Sequence, residues 1–133
     1  MKPVFADTSY YVALLSQSDE RHWAAVDWAE QWLGKQVVSE YVLVELGSAL
    51  AAPQDRHLFV PLVEHVLADP ATTFIPASAD LFEHGVKLFA ARSDKGWSLV
   101  DCISFVVMKQ RRLTDALTAD HHFTQAGFKA LLA

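Results

Sequence analysis

Short apolar runs alternate with longer segments of helical period along this chain. The short runs have the length of buried strands and lie at residues 4–6, 36–39, 73–76, 116–118 and 128–132. The helical segments lie at residues 8–16, 19–33, 40–51, 55–68, 80–92 and 98–111. This alternation of strands and helices predicts an α/β fold with a mostly parallel sheet.

Residues that favour helix ends support these boundaries. Ser39 is placed to cap the third helix, and Gly34 follows the second. Asp80 and Glu83 have the spacing of a capping box at the start of the fifth helix. Pro61 predicts that the fourth helix starts near this residue or is kinked there, because proline lacks a backbone N–H.

Composition narrows the class of protein. The chain has 133 residues, of which 52% are hydrophobic and 20% charged, which excludes intrinsic disorder and predicts one domain over residues 1–133. No apolar run approaches the ~20 residues that a membrane span needs, and Asp7 interrupts any signal-peptide core. The single cysteine, Cys102, cannot form an internal disulfide, so we expect a cytoplasmic protein.

The net charge of −5 is unevenly distributed along the chain. Segment 87–112 is locally basic, with Lys87, Arg92, Lys95, Lys109, Arg111 and Arg112 against Asp94 and Asp101. An acidic protein is not an obvious nucleic-acid binder, but a basic segment beside a carboxylate site could hold a phosphate backbone. The alternative is that these charges only solvate a helix face or complement its C-terminal dipole.

Two acids directly follow predicted strands. Asp7 comes after the first strand, and Asp120 comes after the strand at residues 116–118. Ligands of open α/β sheets bind at the carboxyl ends of the strands, so both acids are candidates for a site. The alternative for each is a structural role as a helix cap or in a turn.

Two further acids stand in apolar surroundings. Glu45 has apolar neighbours on both sides, where a carboxylate is costly to bury unless it is paired or binds a metal; alternatively it faces water from an amphipathic helix. Asp101 precedes the most apolar helix and has capping-box spacing with Ser98, a role that is compatible with a site at the helix N-terminus.

A cluster of carboxylates without cysteine ligands favours a hard cation. Mg²⁺ or Mn²⁺ fits best, held by carboxylates, water and the phosphate oxygens of a substrate. Asp and Glu number 16 and Lys and Arg 11, so without these four acids the chain would be close to neutral. The acidity of the chain is therefore largely that of its predicted site.

Four motifs in this order and spacing resemble the PIN-domain ribonucleases, and most closely the VapC-like toxins of toxin–antitoxin pairs. They are Asp7-Thr8-Ser9, Glu45, Ser98-Leu99-Val100-Asp101 and Leu117-Thr118-Ala119-Asp120. The resemblance covers essentially the whole chain and is most specific between Asp94 and Phe128.

The resemblance implies a three-layer α/β/α fold around a parallel sheet of about five strands. It implies metal-dependent endonucleolytic cleavage of RNA and a cognate antitoxin as a protein partner. The catalytic quartet of the family matches Asp7, Glu45, Asp101 and Asp120. Of these, the expected metal ligands are Asp7 and Asp101. Hydroxyls expected at the substrate belong to Thr8, Ser9 and Thr118.

Other interpretations remain open from the sequence. His121 and His122 stand where many relatives have a further acidic or amide residue, which puts a second metal in doubt; a surface or packing role is expected for His122. A PIN-like module that binds RNA or protein without cleavage is the main alternative. An aspartyl-phosphate phosphatase would need an acid at the position of Ser9.

Two apolar features are also ambiguous. Trp97 beside the predicted site is a candidate for stacking on a base. The fourth helix carries more apolar residues than one core stripe needs, so a homodimer contact and ordinary packing are both open; these residues are Leu58, Phe59, Leu62, Val63, Val66 and Leu67.

Overall fold

A five-stranded sheet forms the centre of the protein, and the computed structural model describes all residues, 1–133. The strands are β1 (Val4–Ala6), β2 (Gln36–Ser39), β3 (Thr72–Ile75), β4 (Asp115–Leu117) and β5 (Lys129–Ala130). The helices are α1 (Thr8–Leu15), α2 (His22–Gln31), α3 (Glu40–Ala49), α4 (Phe59–Ala68), α5 (Ala79–Ala91), α6 (Leu99–Gln110) and α7 (His121–Gln125). None of these helices is long and apolar enough to cross a membrane.

All strand pairs are parallel, and the order across the sheet is β3-β2-β1-β4-β5. The chain moves outward from β1 through β2 to β3 and then crosses back to β4 on the other side of β1. This reversal is a topological switch point, which opens a crevice at the carboxyl ends of the central strands. The predicted α/β/α fold with about five parallel strands is confirmed.

Serine hydroxyls cap the start of three helices, namely α3, α5 and α6. Ser39 accepts a hydrogen bond from the backbone N–H of Val42 at the start of α3, as predicted. The predicted start of α5 was wrong, because Ser78 is its cap and Asp80 lies in the first turn. Ser78 has the extended backbone of a cap residue, which orients its oxygen toward the helix N–H groups.

Other boundaries also differ from the prediction. Residues 56–58 form a separate 3₁₀ turn before α4, so that Pro61 is the third residue of the helix, where its missing N–H has no partner to lose. The predicted strand 128–132 shortens to Lys129–Ala130. Of the six apolar residues around α4, Leu62 and Val66 are buried in the core, whereas Leu67 is 54% exposed.

An aromatic cluster packs beneath the carboxyl edge of the sheet. The Phe105 ring lies 5.0 Å from that of Trp97 and 4.9 Å from that of Phe123, both edge to face. Trp97 is buried and its indole N–H donates to the side-chain oxygen of Gln125. Trp97 is thus a core residue, and its burial argues against the candidate role of stacking on a base. The cluster fixes the loop that leads into α6.

Candidate active site

The four acids predicted from the sequence meet in one pocket at the carboxyl edge of the sheet. The pocket has a volume of about 470 Å³. Its lining comprises Asp7, Thr8, Ser9, Val12, Asp19, Glu45, Gly96, Ser98, Asp101, Asp120 and His122. No lysine or arginine lines it, so the carboxylates face one another without a fixed counter-charge.

Asp7 lies at the bottom of this pocket and is almost fully buried. It occupies the N-cap position of α1, yet its side chain makes no capping hydrogen bond. Burial raises the pKa of the Asp7 carboxyl to about 6, and the negative charges of Asp101 and Glu45 act in the same direction. Hydrogen bonds from the Thr118 hydroxyl and from the backbone of Thr8 act in the opposite direction and lower this pKa. The side chain is therefore directed to the pocket at an energetic cost that capping does not explain.

Asp101 is both a helix cap and a pocket residue. The Ser98 hydroxyl accepts from the N–H of Asp101, and Asp101 Oδ2 accepts from the N–H of Ser98, both at 3.0 Å. This complete capping box fixes the rotamer of Asp101 at the N-terminus of α6. Because the bond from Ser98 uses Oδ2 of Asp101, the other oxygen, Oδ1, remains available to a ligand.

His122 joins Asp101 to Asp120. Its Nδ1 lies 3.0 Å from Asp101 Oδ2 and 3.4 Å from Asp120 Oδ1. Asp120 caps α7 by accepting from the backbone N–H of His122 at 2.9 Å, and this turn brings the imidazole back toward the pocket. His122 is therefore a pocket residue, which differs from the surface or packing role expected from the sequence.

Two further acids complete the lining. Glu45 projects from α3 into the pocket, is partly exposed, and its carboxylate has no hydrogen-bond partner. Asp19, in the turn after α1, lines the same pocket, and its Oδ1 accepts from the backbone N–H of Arg21. Asp19 was not among the predicted site residues, because the sequence placed it at the start of the helical segment 19–33, where an acid is an ordinary first-turn residue; the helix in fact begins at His22.

The three predicted hydroxyl residues have different positions. Thr118 is fully buried and donates to Asp7 Oδ2 at 2.8 Å, so it holds Asp7 and does not face the pocket. The Ser9 hydroxyl lies 2.9 Å from Thr118 Oγ1 and 3.2 Å from Asp7 Oδ2. Thr8 lines the pocket and makes a long contact of 3.5 Å with the carbonyl of Val42 in α3.

The donor set of the pocket fits a divalent cation. Carboxylate oxygens are the ligands that Mg²⁺ and Mn²⁺ prefer. The raised pKa of Asp7 indicates a carboxylate whose charge is poorly compensated by the protein itself. Asp120, His121 and His122 also offer three ligand atoms within 4.8 Å of one another at the rim. The donor atoms of the pocket and its rim are therefore of the kind that suits such an ion.

Comparison with known proteins identifies the family. Residues 4–129 match the PIN domain. The chain belongs to the PIN domain family. It is 31% identical over 138 aligned positions to the 23S rRNA-specific endonuclease VapC20 of Mycobacterium tuberculosis H37Rv, covering 94% of this PIN domain protein and 95% of the relative. It is thus homologous to an RNA endonuclease, and the resemblance found in the sequence is confirmed.

Comparison with solved structures agrees with this result. The crystal structure of M. tuberculosis VapC20, a toxin that cleaves the sarcin-ricin loop, has a TM-score of 0.86 and 27% identity, with 94% of this chain and 95% of that chain covered. FitAcB from Neisseria gonorrhoeae has a TM-score of 0.63 and 18% identity, with 96% and 94% covered, and shares the fold.

The basic segment 87–112 divides into two groups in this PIN domain. Arg92 and Lys95 line a cleft next to the acidic pocket. The group around Arg111 lies at the other end of α6, about 18 Å along the helix axis at 1.5 Å per residue. There the carbonyl of Arg112 accepts from the side chain of Lys2, near the start of β1. The far group fits the role of complementing the helix C-terminus.

Proposed function

We propose that this protein is a divalent-metal-dependent endoribonuclease whose catalytic residues are Asp7, Glu45, Asp101 and Asp120. The convergence of these four acids from separate segments into one pocket supports this proposal most directly. A module that only binds RNA would gain nothing from several carboxylates facing a phosphate, because like charges repel. The homology to VapC20 agrees with cleavage.

Asp7 and Asp101 are the proposed metal ligands. Asp7 is held by Thr118 and Ser9, and Asp101 by the capping box of α6, so both carboxylates are oriented before a ligand arrives. A bound Mg²⁺ or Mn²⁺ supplies polarisation of a phosphoryl oxygen and a water of lowered pKa. Thr8 and Ser9, which line the pocket beside Asp7, are the proposed substrate contacts.

Glu45 and Asp120 have different proposed roles at the rim. Glu45 is partly exposed and its carboxylate has no hydrogen-bond partner, so it is available to accept a proton from the attacking water. The Asp120 carboxylate is held by the hydrogen bond that it accepts from the backbone N–H of His122. Its proposed role is to help orient the carboxylate oxygens that bind the metal. The protein thus orients the carboxylates of Asp7, Asp101 and Asp120 and leaves the Glu45 carboxylate free to accept a proton.

Metal removal tests the proposed function. Purified protein should cleave RNA internally in Mg²⁺ or Mn²⁺, lose this activity in EDTA and regain it when the ion is restored. New 5′ and 3′ ends are mapped by primer extension to distinguish internal cleavage from end trimming. Equal cleavage with and without EDTA would contradict metal dependence, and binding without cleavage in either ion would favour the alternative of a non-catalytic module.

Ribosomal RNA is the proposed substrate class. The homologous VapC20 is specific for 23S rRNA, and the chain covers 95% of that relative. Intact ribosomes, naked 23S rRNA and an unrelated messenger RNA should therefore be compared at equal phosphate concentration. Preferential cleavage of the ribosomal substrates is expected, whereas equal rates on all three would contradict the substrate class and leave the ribonuclease activity intact.

A protein inhibitor is the proposed partner. An enzyme that cleaves RNA in the cytoplasm would harm its own cell unless restrained, so we expect a cognate antitoxin. The lone, buried Cys102 is compatible with a reducing compartment. A homodimer is also proposed, because several large apolar side chains are exposed on α4 and α5, among them Val60, Leu67 and Phe82. Molar mass measured with and without the product of an adjacent reading frame tests both partners.

We expect His122→Ala to lower the cleavage rate about 10- to 100-fold, because partners that orient metal ligands typically contribute this much. The change removes the Nδ1 group that lies between Asp101 and Asp120. Rates should be measured over a Mn²⁺ series, where part of the loss should be recovered at high metal concentration. His84→Ala is the matched control, since this imidazole is exposed on α5, pairs with Asp80 and lies outside the pocket. Equal losses in both variants would contradict the orienting role of His122.

A further inference from the structure

A second cleft opens directly beside the acidic pocket. It has a volume of about 540 Å³, within the roughly 300–1,000 Å³ range of ligand sites. Gly96 lines both the cleft and the acidic pocket, so the two are neighbours along one surface. The walls of the cleft come from the end of α5 and the loop that leads into α6, and include Phe89, Arg92, Lys95 and Trp97.

The charges of this cleft are held in place. The Arg92 guanidinium lies 5.0 Å from the centroid of the Trp97 ring and makes two hydrogen bonds to Asp94, at 3.0 and 3.1 Å. Lys95 lies 3.9 Å from the same carboxylate and is 30% exposed at its side chain. Two cations against one acid leave a net positive charge beside a pocket whose acids have no fixed counter-charge. A chain of phosphates that leaves the acidic pocket along this surface would meet these positive charges in the adjoining cleft.

The cleft also contains an exposed aromatic ring. Phe89 is 51% exposed and lines the same cleft as the two cations. Single-stranded RNA is bound by these two kinds of group, since bases stack on aromatic or guanidinium planes and phosphates pair with cations. We propose that the cleft formed by Phe89, Arg92 and Lys95 binds a nucleotide of single-stranded RNA next to the scissile phosphate. This proposal rests on the ribonuclease function proposed above.

Binding measurements separate the two contributions. Proteins carrying Asp101→Asn, which keeps the RNA intact, are titrated into a fluorescein-labelled single-stranded RNA over a salt series in Mg²⁺. Arg92→Gln with Lys95→Gln should lower the slope of log K against log salt by about 0.7 for each phosphate that is no longer neutralised. Phe89→Ala should weaken binding roughly 5- to 30-fold and leave the slope unchanged, as expected when a base has no aromatic ring on which to stack.

Lys109→Gln with Arg111→Gln is the matched control, because it removes the same charge from the other end of α6. The proposal is overturned if this control lowers the slope as much as the cleft pair does, or if the cleft pair leaves the slope unchanged. It is also overturned if Phe89→Ala keeps full RNA affinity and instead alters the molar mass, since the ring would then serve a protein contact. If Arg92→Gln unfolds the protein, Lys95→Gln alone carries the test, because that side chain pairs only with the exposed Asp94.

Cleavage kinetics distinguish failure of this cleft from failure of the proposed function. With Asp101 restored, the cleft variants should raise KM several-fold and leave kcat close to that of the unmodified protein. If the unmodified protein cleaves RNA and the variants keep its KM, only the nucleotide site is wrong. If the unmodified protein cleaves no RNA in Mg²⁺ or Mn²⁺, the ribonuclease function itself is wrong, and with it the cleft proposal that rests on it.

Discussion

Asp101→Asn is expected to give a folded protein that no longer cleaves RNA in Mg²⁺ or Mn²⁺. The amide nearly preserves the shape of the carboxylate and can still accept from the N–H of Ser98, so α6 should keep its cap. The charged ligand is removed, however, and the absence of a positioned metal costs several kcal/mol of transition-state stabilisation, or roughly 100- to 10,000-fold in rate. Single-turnover cleavage together with a thermal melt measures both parts of this expectation.

Asp27→Asn is the control for this experiment, because Asp27 is an exposed carboxylate on α2 outside the pocket. It removes the same charge from the protein and should leave the cleavage rate unchanged. An Asp101→Asn protein that cleaves at the normal rate would show that the acidic pocket is not the catalytic site. A variant that is inactive because it is unfolded would be recognised by its melt.

Asp7→Asn should stabilise the metal-free protein at neutral pH. The pKa of Asp7 is about 6 in the folded protein and near its ordinary value of 3.8 in the unfolded chain, so the folded state binds the proton more tightly. The stability linked to this proton is fully present below about pH 4 and is lost as the pH rises through 6. The loss amounts to roughly 2–3 kcal/mol, and the asparagine, which carries no proton to lose, should be spared it.

Urea unfolding in EDTA at a series of pH values measures this difference. The free energy of unfolding of Asp7→Asn relative to the unmodified protein should rise between pH 4 and 7, whereas Asp27→Asn should show no such rise. Addition of Mn²⁺ should then favour the unmodified protein, because an ion that binds only the folded state stabilises it by mass action. A difference that is independent of pH would mean that burial of Asp7 imposes no charge penalty.

The sequence predicted the sheet well because its strands are short apolar runs between clear helical segments. The helix boundaries were predicted less well where two neighbouring residues could both act as the N-cap. Ser78 and Asp80 are both acceptable helix caps, and only the backbone conformation at Ser78 decides between them. Trp97 lies between Gly96 and Ser98 in a segment with no periodicity, so its burial against Phe105 depends on tertiary packing that local pattern does not record.

The candidate site was predicted in part for similar reasons. Acids at strand ends are recognisable because parallel strands place their carboxyl ends at one edge. His122 was underestimated because its role depends on the turn that Asp120 makes by capping α7, which returns the imidazole to Asp101. The role of Thr118 in holding Asp7 was not predicted, because the sequence does not show which side chains at the end of a short strand are buried.

The pairing of β1 with β4 has a consequence for when the site can form during synthesis of the protein. Asp7 lies near the start of the chain, whereas its hydrogen-bond donor Thr118 and the acid Asp120 lie more than 100 residues later. A polypeptide still being synthesised therefore has no assembled site until the segment through His122 has left the ribosome and inserted beside the first strand.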